Sequence, residues 1–272
     1  MRSRLRAVCR PRERLLAAAI AVGAGVVVFA LASELFPYHS SNHDEGVYLQ
    51  QAALLLDGQL QIFPGEFEAA VRPWFFVDGG DSFYPKYQPL PAGIYAVFIA
   101  AFGEPRVALA AIAAGNTALV YVLGAVAFDR RIGVVAAAAF AVAPMTLITS
   151  SVFLPYAPTT LFNLAFAVAY LKSYRTGRRA TAGIAGLAIG VAFLMRPYTA
   201  VLFAAPFITH ALWEIAATVR ERPPTLSAPL PGAVGRQATT AAVGFLFVAV
   251  ALAYNAYLTG SPLVFPFQAF AP

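Results

Sequence analysis

The chain has 272 residues, of which 60% are apolar and only 12% are charged. Soluble domains carry about 25% charged residues, so this composition and the mean hydropathy of +0.69 exclude an ordinary soluble protein and indicate a helical membrane protein. The net charge of +6 does not predict a nucleic-acid partner, because the basic residues stand at the ends of apolar runs. That placement is the positive-inside pattern of membrane proteins.

The first predicted span is the uncharged run 15–33, which follows a leader with six arginines in residues 1–14. A cleaved signal peptide has an apolar core of roughly 7–15 residues. This run is longer, so we expect a retained helix that crosses the roughly 30 Å hydrocarbon core. The basic leader should stay in the cytoplasm, which places residues 40–106 outside.

The next apolar runs are assigned by counting crossings between basic clusters. Residues 107–128 lead into Arg130 and Arg131, which we expect inside, so this run is the second span. Two shorter apolar pieces, 46–56 and 90–102, remain on the outer side. Both predict helices that lie along the membrane surface.

Beyond residue 131 the same counting gives five more spans. Residues 132–171 carry no charge and suffice for two crossings, joined outside by a proline-marked turn. Residues 180–195 and 197–213 predict two short spans that meet outside at Arg196, and residues 237–257 predict the last one.

The predicted fold is therefore an all-α polytopic membrane protein with seven transmembrane helices, the N-terminus inside and the C-terminus outside. We expect a single domain over residues 1–272, with two juxtamembrane helices in an outer loop of about 37–106. A proline-rich cytoplasmic linker is expected at about 217–236.

The outer loop concentrates the acidic residues, since eight of the thirteen carboxylates fall within residues 40–106. Fifteen of the nineteen Lys and Arg residues are explained by the predicted topology. The remaining four lie outside and need another reason: Arg72, Lys86, Arg106 and Arg196.

Asp44, Lys86 and Arg196 each have both a structural and a chemical interpretation. Asp44, with Glu45 beside it, either caps the helix that follows or acts as a general base at the membrane surface. Lys86 is either a solvated lysine or an ammonium that faces a lipid phosphate. Arg196 either marks a turn or closes on an anion, although an arginine in mid-membrane costs about 2.5–3.5 kcal/mol on insertion scales.

Three further residues are candidate contacts to an acceptor or a sugar. His43 adjoins Asp44, but with only His39 nearby it does not form a predicted metal site. Tyr84 and Tyr87 flank Lys86, and such aromatic residues either seat the loop at the membrane interface or contact a sugar.

Four segments resemble a known superfamily: SNHDEGVYLQQAALLLDGQ after the first span, YPKYQPLPAGIYAVFIAAFG in the same loop, DRRIG after the second span, and NAYLTGSPLVFPF near the end. They are similar to the membrane-embedded glycosyltransferases that use polyprenyl-phosphate sugars, such as protein O-mannosyltransferases and aminoarabinose–lipid A transferases. The resemblance implies a seven-span core with an acidic residue after the first span and a Pro-Leu helix in the same outer loop.

By the same resemblance, Asp44 matches the catalytic carboxylate, Glu45 the second acid, and Lys86 a phosphate-contacting lysine. The second outer loop departs from the pattern, because many members carry an acid there, sometimes as a metal ligand, and residues 149–156 contain none. No cofactor is therefore assigned and no metal ligand is predicted, while a divalent cation is left open. Members also usually continue beyond the seventh span.

These features predict an enzyme that moves a sugar from a polyprenyl-phosphate donor to a protein or lipid acceptor. The reaction is expected at the extracytoplasmic face of a prokaryotic plasma membrane, among membrane lipids. Asp44 would take the acceptor proton, while Lys86, together with Arg196, would hold the lipid phosphate. The alternative is a non-catalytic transporter or lipid-linked-sugar flippase fragment, which would place ionisable residues near the bilayer midplane.

Overall fold

The structure is a computed structural model that describes residues 11–67, 73–221 and 232–270. Apart from one 3₁₀ turn at Gly65–Phe67, its elements in chain order are α1 (Pro11–Glu34), α2 (Asp44–Leu56), β1 (Phe76–Asp78), β2 (Phe83–Pro85), α3 (Leu90–Phe102), α4 (Arg106–Ala127), α5 (Arg130–Val142), α6 (Pro144–Ser150), α7 (Tyr156–Thr176), α8 (Arg179–Met195), α9 (Pro197–Glu221), α10 (Gly232–Thr259) and α11 (Pro266–Phe270). The prediction of an essentially all-α membrane protein is confirmed.

Four helices in the described ranges are long and apolar enough to cross a membrane, namely α1, α4, α9 and α10. Helices α5 and α6, which meet at an angle of 64°, are together also long and apolar enough to form one bent span. Helices α3 and α8 are apolar but shorter. Seven crossings and the orientation of the termini therefore stay predictions. Helix α9 continues to Glu221 and α10 begins at Gly232, so both ends of the predicted linker 217–236 are helical. The residues between them, 222–231, lie outside the described ranges.

Local sequence explains where α5 begins and ends. The Asp129 carboxylate caps its first turn by accepting hydrogen bonds from the backbone N–H groups of Arg131 (2.8 Å) and Ile132 (3.0 Å). Pro144 disfavours a helical conformation in the residue before it. Ala143 is accordingly extended (φ −66°, ψ 125°), and the chain restarts as α6 in a new direction.

Small residues let the helices approach closely, as is common in membranes. On α8, a Cβ added at Gly186 would meet the backbone oxygen of Thr240 at 2.4 Å, and one at Gly190 would meet the ring of Phe247 at 2.5 Å. A larger side chain at either glycine would push α8 away from α10. The position of α8 also sets the position of Arg196, which follows it directly.

The loop between α1 and α4 packs on one end of the helical bundle. Tyr95 of α3 is fully buried there and donates a hydrogen bond to the backbone oxygen of Leu154 (3.1 Å). The antiparallel hairpin of β1 and β2, which the sequence analysis did not predict, pairs Val77 with Tyr84. Asp78 ends β1 and accepts a hydrogen bond from the N–H of Gly80 (2.9 Å), as expected for a turn residue.

Arg106, one of the four unexplained basic residues, has a structural role at the end of α1. Its guanidinium donates hydrogen bonds to the backbone oxygens of Ala32 (3.3 Å) and Pro37, and pairs with Glu104 (3.0 Å). A cation suits the carbonyl end of a helix dipole. Arg72, another of the four, lies outside the described residues.

Candidate functional site

Asp44 and Lys86 form an ion pair at the surface of the loop, with 3.4 Å between the Lys86 Nζ and Asp44 Oδ1 atoms. Asp44 is the first residue of α2, where an acid is stabilised by the helix dipole, and Lys86 directly follows β2. The lysine side chain is 12% exposed and the aspartate 32% exposed. The pair is therefore partly shielded but still open to an incoming ligand.

Aromatic rings surround the ammonium group of Lys86. Its Nζ atom lies 3.7 Å from the centre of the Phe75 ring and 4.8 Å from the centres of the Tyr87 and Phe270 rings. Such cation–π contacts stabilise a partly desolvated ammonium by electrostatic attraction to the ring faces. They restrict where the lysine head group can lie.

Arg196 lies in the break between α8, which ends at Met195, and α9, which begins at Pro197. Its guanidinium carbon lies 4.6 Å from the centre of the Tyr156 ring at the start of α7. Three separate parts of the chain thus bring ionisable groups to the same end of the bundle.

A cavity of about 310 Å³ joins these groups. Asp44, Tyr87 and Arg196 are on its wall, whereas Lys86 lies behind the wall, in contact with Asp44 and the Tyr87 ring. The other lining residues are Tyr48, Gln88, Leu154, Pro155, Tyr156, Met195, Pro197, Tyr198, Thr199 and Phe267. A concave site with a few convergent polar groups among aromatic side chains is typical of ligand binding.

Tyr87 packs its ring against Tyr48, with 4.8 Å between the ring centres. Burial, and then a hydrogen bond to the Asp44 carboxylate, raise the pKa of Tyr87 well above its usual value of 10.0. The phenol therefore stays protonated at neutral pH and acts as a hydrogen-bond donor to Asp44. The predicted candidate contact Tyr87 lies in the cavity.

Glu45 points away from the cavity and is fully buried. One carboxylate oxygen accepts hydrogen bonds from the backbone N–H (2.8 Å) and hydroxyl of Ser40, and the other accepts from the backbone N–H of Phe153 (2.7 Å). Glu45 thus ties the segment before α2 to the segment before α7. Its geometry is that of a positioning residue.

The other two predicted contacts lie elsewhere. His43 is exposed and packs against Trp74, with 5.0 Å between the ring centres. Tyr84 is buried in a cluster with Val77, Tyr254 and Leu258, where burial raises its pKa. Neither side chain lines the cavity.

Three tyrosines of the cavity wall were missed by the sequence analysis: Tyr48, Tyr156 and Tyr198. A signal existed for two of them. Tyr156 and Tyr198 each follow a proline at the predicted outer end of a helix, in the pairs Pro155-Tyr156 and Pro197-Tyr198. Tyr48 carries no such signal, because it resembles any apolar residue of an amphipathic helix.

The described residues contain no group of three or more His, Cys, Asp and Glu side chains placed to hold a metal ion. Asp44 is paired with Lys86, and the oxygens of Glu45 are occupied by Ser40 and Phe153.

A larger groove of about 500 Å³ runs between α7, α8, α9 and α10. Its wall is almost wholly apolar, with few polar side chains such as those of Tyr170 and Gln237. Phe193 and Ala200 line it close to Met195 and Thr199 of the smaller cavity. Residues at the junction of α8 and α9 thus contribute to both the polar cavity and the apolar groove.

Comparison with known families gives a match to the family described as dolichyl-phosphate-mannose-protein mannosyltransferase, over residues 89–234. The matched range covers α3 to α9 and includes Arg196, whereas Asp44 and Lys86 precede it. A comparison with curated proteins gives no match. Because the family match spans more than half of the 272 residues, the chain belongs to the dolichyl-phosphate-mannose-protein mannosyltransferase family, a group of membrane glycosyltransferases that use a polyprenyl-phosphate-sugar donor.

Proposed function

We propose that this protein transfers a sugar from a polyprenyl-phosphate donor to an acceptor hydroxyl at the cavity that Asp44 and Arg196 line and that Lys86 adjoins. The proposal is supported by one carboxylate and one cation on the wall of the same cavity, Asp44 and Arg196, with a second cation, Lys86, paired to that carboxylate at 3.4 Å. By the charge distribution, that site faces the extracytoplasmic side. A protein hydroxyl is the acceptor that the family description suggests, with a lipid hydroxyl as the alternative.

The donor phosphate is placed by the two cations. The phosphodiester of the donor carries one negative charge, and the departing phosphate monoester gains a second as its bond to the sugar breaks. Fixed positive groups therefore stabilise the transition state more than the ground state. Lys86 supplies a compact ammonium, and Arg196 supplies a planar guanidinium that can contact two phosphate oxygens. The adjoining apolar groove is suited to the isoprenoid chain that such a donor carries.

Asp44 is the proposed general base. Its carboxylate pairs with the Lys86 ammonium at 3.4 Å. Phosphate binding would draw the ammonium towards the donor and leave the carboxylate available for the proton of the acceptor hydroxyl. The neutral Tyr87 phenol, which donates to Asp44, would keep the carboxylate oriented during that exchange.

The direct experiment is incubation of the purified protein in membranes with dolichyl phosphate mannose and a panel of other polyprenyl-phosphate sugars. We expect release of the free polyprenyl phosphate from at least one donor, in step with the appearance of glycosylated acceptor. Intact donors throughout, with protein that is folded and correctly inserted, would contradict the proposal.

Replacing Lys86 with methionine tests the phosphate contact. A hydrogen bond to a charged group is worth about 1.5–3 kcal/mol, so Lys86→Met should raise the KM for the donor by about 10- to 100-fold. Lys172→Met is the matched control, because Lys172 is exposed on α7, sixteen residues beyond Tyr156. An unchanged donor KM in Lys86→Met would remove Lys86 from the phosphate site.

A further inference from the structure

Phe75 has an unusual backbone for its residue type. It is the one non-glycine residue with positive φ (60°) among those the structure describes. The left-handed region is disfavoured for side chains with a Cβ, and a bulky aromatic residue there is an outlier. Strain of this kind persists only where the surroundings impose it, and it is concentrated at functional sites.

The strained conformation sets the ring beneath Lys86. Phe75 immediately precedes β1, and its backbone oxygen accepts a hydrogen bond from the N–H of Lys86 (3.4 Å) at the open end of the hairpin. The ring lies 3.7 Å from the lysine ammonium, nearer than either of the other two rings around that group. Glycine would adopt this backbone without strain, yet the chain carries an aromatic residue here.

We infer that Phe75 is a positioning residue that holds the Lys86 ammonium at the place where the donor phosphate binds. This inference rests on the proposed function and adds a residue to it. Lysine has a flexible stem, and ordering it upon binding costs rotamer entropy. A ring beneath the ammonium orders it beforehand, so part of that cost is removed from the binding step.

Neighbouring residues offer a matched control. Trp74 is adjacent in sequence and equally aromatic, but its side chain is 69% exposed and packs against His43 and Phe75, without a cation–π contact to Lys86 among the contacts described. Substitution of Trp74 therefore reports on general disturbance of this segment. Substitution of Phe75 reports on the ring beneath Lys86.

The test is the affinity for dolichyl phosphate, the sugar-free lipid product, measured for wild type, Phe75→Leu, Phe75→Tyr, Phe75→Gly and Trp74→Leu. Cation–π contacts of this kind correspond to roughly 3- to 30-fold in affinity. We expect Phe75→Leu and Phe75→Gly to weaken binding by about that factor. Phe75→Tyr, which keeps the ring, should bind within about twofold of wild type, and Trp74→Leu should be unchanged.

The variants also separate the ring from the backbone. Leucine keeps the strained backbone and removes the ring, whereas glycine removes both, so equal loss in the two variants assigns the effect to the ring. The KM for the mannosyl donor should rise in parallel, with kcat changed much less. Wild-type affinity in Phe75→Leu, or a loss in Phe75→Tyr as large as in Phe75→Leu, overturns the role of Phe75 while leaving the proposed function intact. Wild-type protein that neither binds dolichyl phosphate nor consumes any donor overturns both.

Discussion

Asp44→Asn should lower the rate of sugar transfer by about 10²- to 10⁴-fold, the range that a positioned general base contributes. Asparagine has nearly the same shape but cannot accept the proton of the acceptor hydroxyl. It also leaves Lys86 without its partner at 3.4 Å, so the donor phosphate no longer competes with a carboxylate for the ammonium. Donor binding should therefore persist or tighten while kcat falls.

The matched control is Asp57→Asn. Asp57 stands at the opposite end of the same helix α2, is exposed, and does not line the cavity. This variant should transfer sugar at the wild-type rate, which shows that loss of an acid from α2 is harmless in itself. Equal turnover by wild type and Asp44→Asn would exclude Asp44 as the base.

Glu45→Ala should strongly lower the free energy of unfolding. Its buried carboxylate accepts hydrogen bonds from the Ser40 backbone and hydroxyl and from the Phe153 backbone. Hydrogen bonds to charged groups contribute about 1.5–3 kcal/mol each, and buried donors left without a partner add a desolvation penalty. We expect a loss of about 3–5 kcal/mol, measured by thermal or denaturant unfolding in detergent.

Glu45→Gln separates charge from hydrogen bonding at the same position. Both glutamate oxygens accept hydrogen bonds, whereas glutamine offers only one oxygen, so its amide group must face either the Ser40 or the Phe153 donor. A smaller but clear loss of about 1–3 kcal/mol is expected. A Glu45→Gln variant that is as stable as wild type and inactive would instead place Glu45 in the chemistry.

The sequence was sufficient for the elements whose boundaries depend on local signals. The helix Leu90–Phe102 has the predicted limits, because prolines precede it and Gly103, at φ 69°, ends it. The breaks around Arg196 and before Pro144 likewise follow from prolines that disfavour helix in the residue before them. Asp44, Lys86 and Arg196 were expected to lie together at one site; the direct ion pair of Asp44 with Lys86 was not predicted, and Lys86 does not line the cavity.

The parts that were missed depend on contacts between distant segments. Glu45 has the same local sequence signature as Asp44, and only its contact with Phe153, 108 residues away, shows that it faces the interior. The hairpin of β1 and β2 was missed because three-residue strands give too short an alternating pattern. The position of Phe75 beneath Lys86 depends on that hairpin and therefore could not be predicted either.

Photolabelling can locate the donor phosphate, which we propose binds in the cavity of Asp44 and Arg196, beside Lys86. A dolichyl phosphate analogue with a photoreactive group next to the phosphate should attach to cavity residues such as Tyr87, Tyr156 and Tyr198. Excess unlabelled dolichyl phosphate should suppress this attachment, and Lys86→Met should reduce it. Attachment confined to other parts of the bundle and insensitive to Lys86→Met would show that the donor phosphate binds elsewhere.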